Sequence, residues 1–244
     1  MKRYIIPLLL LLLISSAGAT DRAGQANVTT GGDMLGQLYK ELFPDVSTPY
    51  TILDTTTGLA LISAATLDVS VDPGLNAVQR DTTIDVVTGT EWYALPSDFY
   101  EIPAGVPEFG VTAIPEDEAL ETGMEIMSVG AIGQYRDDTG IPLHFLVRKN
   151  RLHIEPTNNT GDTVRVYYAA YSNVIDAVTD TTNIDKRYIN YVVLLSAEKY
   201  LQGVFSKGNQ SFANNKLVYI ASKQQEALRK LGVVDKAPID KIIK

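Results

Sequence analysis

The sequence contains no cysteine and only two histidines, His144 and His153. The first absence removes disulfides, thiolate nucleophiles and thiolate metal sites. The second leaves little material for a zinc site or a histidine-based catalytic centre. There is no glycine-rich phosphate loop, no G-x-S-x-G elbow and no H-E-x-x-H helix, so the common signatures of nucleotide, acyl-transfer and metallopeptidase chemistry are missing. A carboxylate pair of the glycosidase kind needs only proximity in space, and the sequence leaves a hydrolase of that type open.

What is present is an ordinary globular composition, 45% hydrophobic and 20% charged over 244 residues, enough for one large domain or one domain with an insertion. The net charge of −8 conceals a sharp division. Residues 21–185 carry 8 Lys/Arg and 25 Asp/Glu, a net of −17, whereas residues 186–244 carry 11 and 4, a net of +7. An acidic body therefore precedes a basic end. A solvated helix face, contact with nucleic acid and electrostatic docking on another protein all fit that basic end.

The first nineteen residues form a leader. Lys2 and Arg3 precede an apolar run from Tyr4 to Ile14, followed by Ala17-Gly18-Ala19. This is the pattern of a secretory signal peptide cleaved after Ala19, and it is too short to span a bilayer. Two other readings stand beside it: an apolar arm used in assembly, or a start codon placed too early with Met34 as the true first residue.

Residues 20–32 are small and polar and read as a linker. Asp33 is the expected N-cap of a helix that ends at Pro44, and a second helix is expected over 51–65, interrupted by Gly58. Leu67, Val69 and Val71 alternate with polar residues, predicting a first strand. Further strands are expected at 83–87, 91–95, 143–147, 151–155 and 163–171, joined by short turns at Lys149-Asn150 and 158–162. Pro115 followed by Glu116, Asp117, Glu118 and Glu121 predicts a short acidic helix start. From Asp185 the period becomes helical, and two helices separated at Gly208-Asn209 run to Gly232. The expectation is an α+β fold, a small helical core made of an N-terminal helix and a C-terminal antiparallel two-helix hairpin, with an inserted antiparallel β meander. The corresponding divisions are the leader 1–19, linker and N-terminal helical segment 20–66, β region 67–171, helical hairpin 172–232 and basic tail 233–244.

Each cluster with chemical potential has a plain structural alternative. His144 and His153 fall on neighbouring strands, where they would face each other without a third metal ligand. Glu116, Asp117, Glu118 and Glu121 offer oxygens for calcium, but lack the alternating spacing of a dedicated loop. Asp180, Asn183 and Asp185 are better explained by an Asx turn and an N-cap at Asp185. Asn27, Asn158 and Asn209 match a glycosylation acceptor, a pattern frequent by chance. Thirteen tyrosines against one tryptophan suit either interaction surfaces or core packing.

Four segments in order resemble a known family. GTEWYALPSDFYEI, residues 89–102, resembles a strand–turn–strand with an aromatic before Leu-Pro-x-Asp-Phe. TGIPLHFLVRKNRLHIEPTNNTGDTVRVYYAAY, residues 139–171, resembles its next unit, with a Leu-x-Ile-x-Pro strand and a Gly-Asp turn leading to Tyr-Tyr. IDKRYINYVVLLSAEKYL, residues 184–201, resembles the helix that follows, and a closing helix around Tyr219 ends in ALRKL. The family is that of the head–tail adaptor, or connector, proteins of tailed bacteriophages, and the resemblance covers residues 80–232. It implies a virion protein without catalytic residues, cofactor or metal, assembled in the host cytoplasm. It also implies a homo-oligomeric ring of about twelve copies beneath the portal protein, contacting tail or nozzle proteins and extending the channel for double-stranded DNA. The leader supports the alternative, a secreted or periplasmic β-rich binding protein.

Overall fold

The computed structural model of the chain describes residues 20–21, 29–72, 74–106, 109–114, 121–136, 138, 140–157, 162–206 and 210–233. The leader, most of the linker, Glu116 to Glu118, the turn at 158–161, the three acceptor asparagines and residues 234–244 lie outside them.

Helix α1 (Gly31–Leu42) begins at a reciprocal cap. Thr30 Oγ1 accepts from Asp33 N–H at 3.1 Å, and the Asp33 carboxylate accepts from Thr30 N–H at 3.1 Å. Thr30 is thus the N-cap and Asp33 the third helical residue, a correction to the expectation at Asp33: the threonine three positions upstream completes the box. The Gly31 and Gly32 amides donate to the Asp180 and Val178 carbonyls at 2.7 and 2.8 Å, so residues ahead of Met34 belong to the packed fold. A Cβ on Gly31 would stand 2.6 Å from the Ala177 carbonyl oxygen. Gly31→Ala is therefore expected to destabilise by about 1–3 kcal/mol, despite alanine's better helix propensity, as read by the urea midpoint.

Helix α2 (Thr55–Ser70) is capped by Asp54, which accepts from Thr57 N–H at 2.9 Å. It runs unbroken through Gly58, where a Cβ would collide with Leu35 of α1; the glycine permits close helix packing and does not interrupt the helix. The helix also continues across residues 67–70, replacing the strand expected there. Val69 is buried and Leu67 is 45% exposed, because α2 carries apolar residues around most of its circumference and a period of two arises by coincidence.

Among the described residues ten strands make two sheets: β1 (Thr20–Asp21), β2 (Gln79–Asp85), β3 (Trp92–Ala94), β4 (Phe99–Glu101), β5 (Gly110–Ile114), β6 (Thr122–Gly123), β7 (Glu125–Ile126), β8 (His144–Arg148), β9 (Arg151–Glu155) and β10 (Thr163–Ala170). One sheet runs β1-β2-β10-β5-β6 with β4 also on β10, and the other runs β3-β9-β8-β7, in which β7 and β8 are parallel. Thr20 and Asp21 therefore pair with Asp81 and Arg80, where a linker was expected. Strand β10 alternates as its sequence requires: Val164, Val166 and Tyr168 are buried, with Thr163, Arg165 and Tyr167 on the other face. β8 and β9 form the expected hairpin around Lys149 and Asn150, both left-handed at φ 50 and 58°, as a two-residue turn requires.

Helices α3 (Lys186–Ser206) and α4 (Gln210–Lys230) complete an α+β fold. α3 packs against α1, α2 and α4, and it buries Ile189, Val192, Val193, Ala197 and Leu201. Gly232 follows α4 at φ 75°, a conformation that glycine adopts without strain.

Candidate functional site

Among the described residues, those with chemical potential do not converge on one cleft; the fold uses them as separate internal ties. The hairpin register sets His144 opposite Glu155 and His153 opposite Leu146, so the histidines are diagonal neighbours rather than a facing pair. His144 stacks on Tyr135 with ring centroids 4.1 Å apart. His153 packs against Trp92 and is fully buried with Glu155. The Glu155 carboxylate meets His153 Nε2 at 2.8 Å and accepts from Gly133 N–H at 2.6 Å and Tyr135 N–H at 3.0 Å. Burial pushes its pKa up, but these three hydrogen bonds outweigh it and hold the carboxyl below its ordinary 4.5. The pair thus fastens the loop at 133–135 onto β9. Sequence reading missed Glu155 altogether, because two of its three partners, the Gly133 and Tyr135 amides, lie about twenty residues upstream.

Glu121, the described member of the acidic cluster, is committed elsewhere. It pairs with Arg165, accepts from the Tyr167 hydroxyl at 2.7 Å and accepts from Thr112 Oγ1 at 2.9 Å. These groups lie on the outer face of β5 and β10, where water screens the charges. Glu121→Ala is expected to cost no more than about 1 kcal/mol, and calcium is expected to leave the melting temperature of the chain unchanged.

Asp98, from the Leu-Pro-x-Asp-Phe segment, ties strands that are far apart in sequence. It pairs with Arg80 of β2 at 2.8 Å and accepts from the Tyr168 hydroxyl of β10 at 3.1 Å. Phe99 beside it is buried, its ring 5.4 Å from that of Tyr168. The other polar trio serves turns and caps. Asp180 accepts from the Asp176 and Ala177 amides, Asn183 joins Asn173 to Tyr171, and Asp185 accepts from Arg187 N–H at the start of α3. Among the described residues, no group of three or more His, Asp or Glu stands where it would hold a metal ion.

The tyrosines divide. Tyr168 and Tyr188 are buried, the latter donating to the Leu75 carbonyl at 2.5 Å. Tyr191 and Tyr200 are partly buried against the core. Tyr50, Tyr171 and Tyr219 are exposed. The surface also presents large apolar side chains on separate elements, among them Ile126 at 68%, Val174 at 71% and Val218 at 63% exposure. Among the described residues, the polar groups thus serve as internal ties while large apolar groups are displayed outward.

A family model described as SU10 adaptor protein matches residues 29–239. The match spans helices α1 to α4 and strands β2 to β10, including the N-terminal helices that the four sequence segments left outside the resemblance. No curated protein matches the chain. With the match extending over most of the sequence and the whole helical core, the chain belongs to the SU10 adaptor protein family, a family of phage head–tail adaptors.

Proposed function

We propose that this protein is a non-enzymatic adaptor subunit of a tailed phage, assembled in about twelve copies as a ring beneath the portal protein. In this reading the ring prolongs the channel for double-stranded DNA and receives tail or nozzle proteins. The observation that carries it is the family match across residues 29–239. Two features support it. The polar clusters are consumed in tying strands and loops together, which suits a load-transmitting part more than a catalyst. The net charge of −17 over residues 21–185 also suits a channel wall, since like charge keeps phosphates from sticking and the DNA passes without sequence-specific contact.

The test is made on virions. Mass spectrometry of purified particles should find the chain at roughly the portal's copy number, and gold-labelled antibody should mark the head–tail junction in electron micrographs. A chain absent from particles and recovered instead from the periplasm or medium, with its N-terminus at Thr20, would establish the secreted binding protein and end the adaptor reading.

A further inference from the structure

The outward face of α2 is unusual for a surface helix. Only Asp68 among its sixteen residues is charged, and Thr56, Ala60, Ala64 and Leu67, spaced three and four apart, all face solvent. Opposite them runs the segment at 172–176, and the two enclose an open groove of about 390 Å³. Val174 on its wall is 71% exposed and Leu67 45%. Leaving both in water is unfavourable unless something covers them.

The groove's rim is acidic. Asp176 lines it, and Asp180 lies close enough that its hydrogen bond and like charge hold the Asp176 carboxyl above its usual range. A carboxylate at the edge of an apolar trough, with the Asp180 carboxylate behind it accepting from the Asp176 and Ala177 amides at 2.9 and 2.8 Å, favours an occupant that brings a cation together with apolar bulk.

Such a surface exists on the same chain. On α4, Val218 is 63% and Tyr219 45% exposed. The Lys223 and Lys216 ammonium groups lie 4.8 and 5.6 Å from the Tyr219 ring centroid; Lys223 also pairs with the Glu41 carboxylate of α1 at 2.8 Å, so two ammonium groups against one carboxylate leave the flank of the apolar ridge net positive. It belongs to the section whose net charge is +7, whereas the groove belongs to the section of −17. α2 and α4 each pack on α3 and share no interface of comparable extent. Groove and ridge are therefore different surfaces of one subunit, and both are open at once. That is the requirement for a head-to-tail contact, which closes into a ring when the rotation per step allows.

We infer that the α2 groove of one subunit receives the Val218–Tyr219 ridge of α4 from the next copy. This rests on the ring reading above and specifies the contact by which the ring is made.

The absence of cysteine makes the test direct. Ala64→Cys and Val218→Cys lie at exposed positions, so each full-length variant should fold, as circular dichroism would verify. Mixed in equal amounts with the portal protein and mildly oxidised, the two should give a disulfide-linked dimer containing one of each, with neither homodimer. The double variant should give a ladder of multimers. Adding Asp176→Lys should lower the mixed-dimer yield roughly tenfold, a change of about 1.4 kcal/mol. Rings seen by electron microscopy without the mixed dimer, a dominant Val218→Cys homodimer, or a link from α4 to the portal protein would each overturn this interface while leaving the ring reading intact. Failure of the unmodified chain to form any ring, alone or with the portal protein, would overturn both.

Discussion

Replacing Glu155 with alanine is expected to lower the stability of the fold at neutral pH by about 3–5 kcal/mol, and the melting temperature by roughly 10 °C. The side chain is fully buried and is met by three donors: the Gly133 and Tyr135 amides and His153 Nε2, at 2.6, 3.0 and 2.8 Å. Truncation strands the fully buried His153 in the interior and takes the acceptor from the Gly133 and Tyr135 amides, and an unsatisfied buried donor costs more than the net worth of the bond it loses. Glutamine restores shape but not function, since it presents one oxygen and turns N–H groups toward donors. The pH dependence has a definite sign. The folded-state pKa of Glu155 lies below its ordinary 4.5, so the stability it contributes is fully present above that value and is lost as pH falls through the folded-state pKa. The gap between the natural chain and Glu155→Gln, measured by scanning calorimetry, should therefore be widest near neutrality and narrow in acid. An alanine variant that loses less than about 1 kcal/mol would mean that water reaches all three donors and that the loop at 133–135 is not fastened by this carboxylate.

How far the sequence displays this architecture depends on where the partners of each residue lie. α3 shows itself because Ile189, Val192, Val193, Ala197 and Leu201 bury one broad side, and the β8–β9 hairpin because Lys149-Asn150 suits a two-residue turn. The second half of α2 was hidden, since an apolar surface on both the inner and the outer side erases the helical period and lets Leu67, Val69 and Val71 pass for a strand. Pairing between β2 and β10, with Val164 opposite Ile84, joins segments eighty residues apart, and no local pattern records such closure. The internal ties were equally silent. Glu155 reads as one more acidic residue until the Gly133 and Tyr135 amides arrive from elsewhere, although its place beside His153 on the same strand face was a signal. Asp98 was visible as part of a motif before its role was.

That role yields the second large effect. Asp98→Ala is expected to cost about 2–3 kcal/mol, somewhat less than Glu155→Ala because the Asp98 side chain retains 26% exposure and its partner Arg80 18%. The backbone contact from Tyr171 N–H to the Asp98 carbonyl, 2.8 Å long, survives the substitution, so the change isolates the carboxylate. What it loses is a carboxylate that touches both Arg80 of β2 and the hydroxyl of Tyr168, whose phenol is fully buried. Burial and the adjacent Asp98 charge push the Tyr168 pKa up, so the phenol stays protonated and acts as a donor throughout the physiological range. Tyr168→Phe removes that donor and its need together. The double variant Asp98→Ala with Tyr168→Phe should accordingly be less destabilised than the sum of the single changes, by about 1 kcal/mol in a double-mutant cycle. Asp98→Asn, which keeps an acceptor for Tyr168 but gives up the charge facing Arg80, should fall between the natural chain and alanine. Strict additivity in the cycle would show that the aspartate acts on each strand separately, and that the Leu-Pro-x-Asp-Phe segment is held by Leu95 and Phe99 packing alone. A coupling of the expected size makes Asp98 the point at which β2, β4 and β10 are locked to one another, so that force applied to one strand is carried by all three.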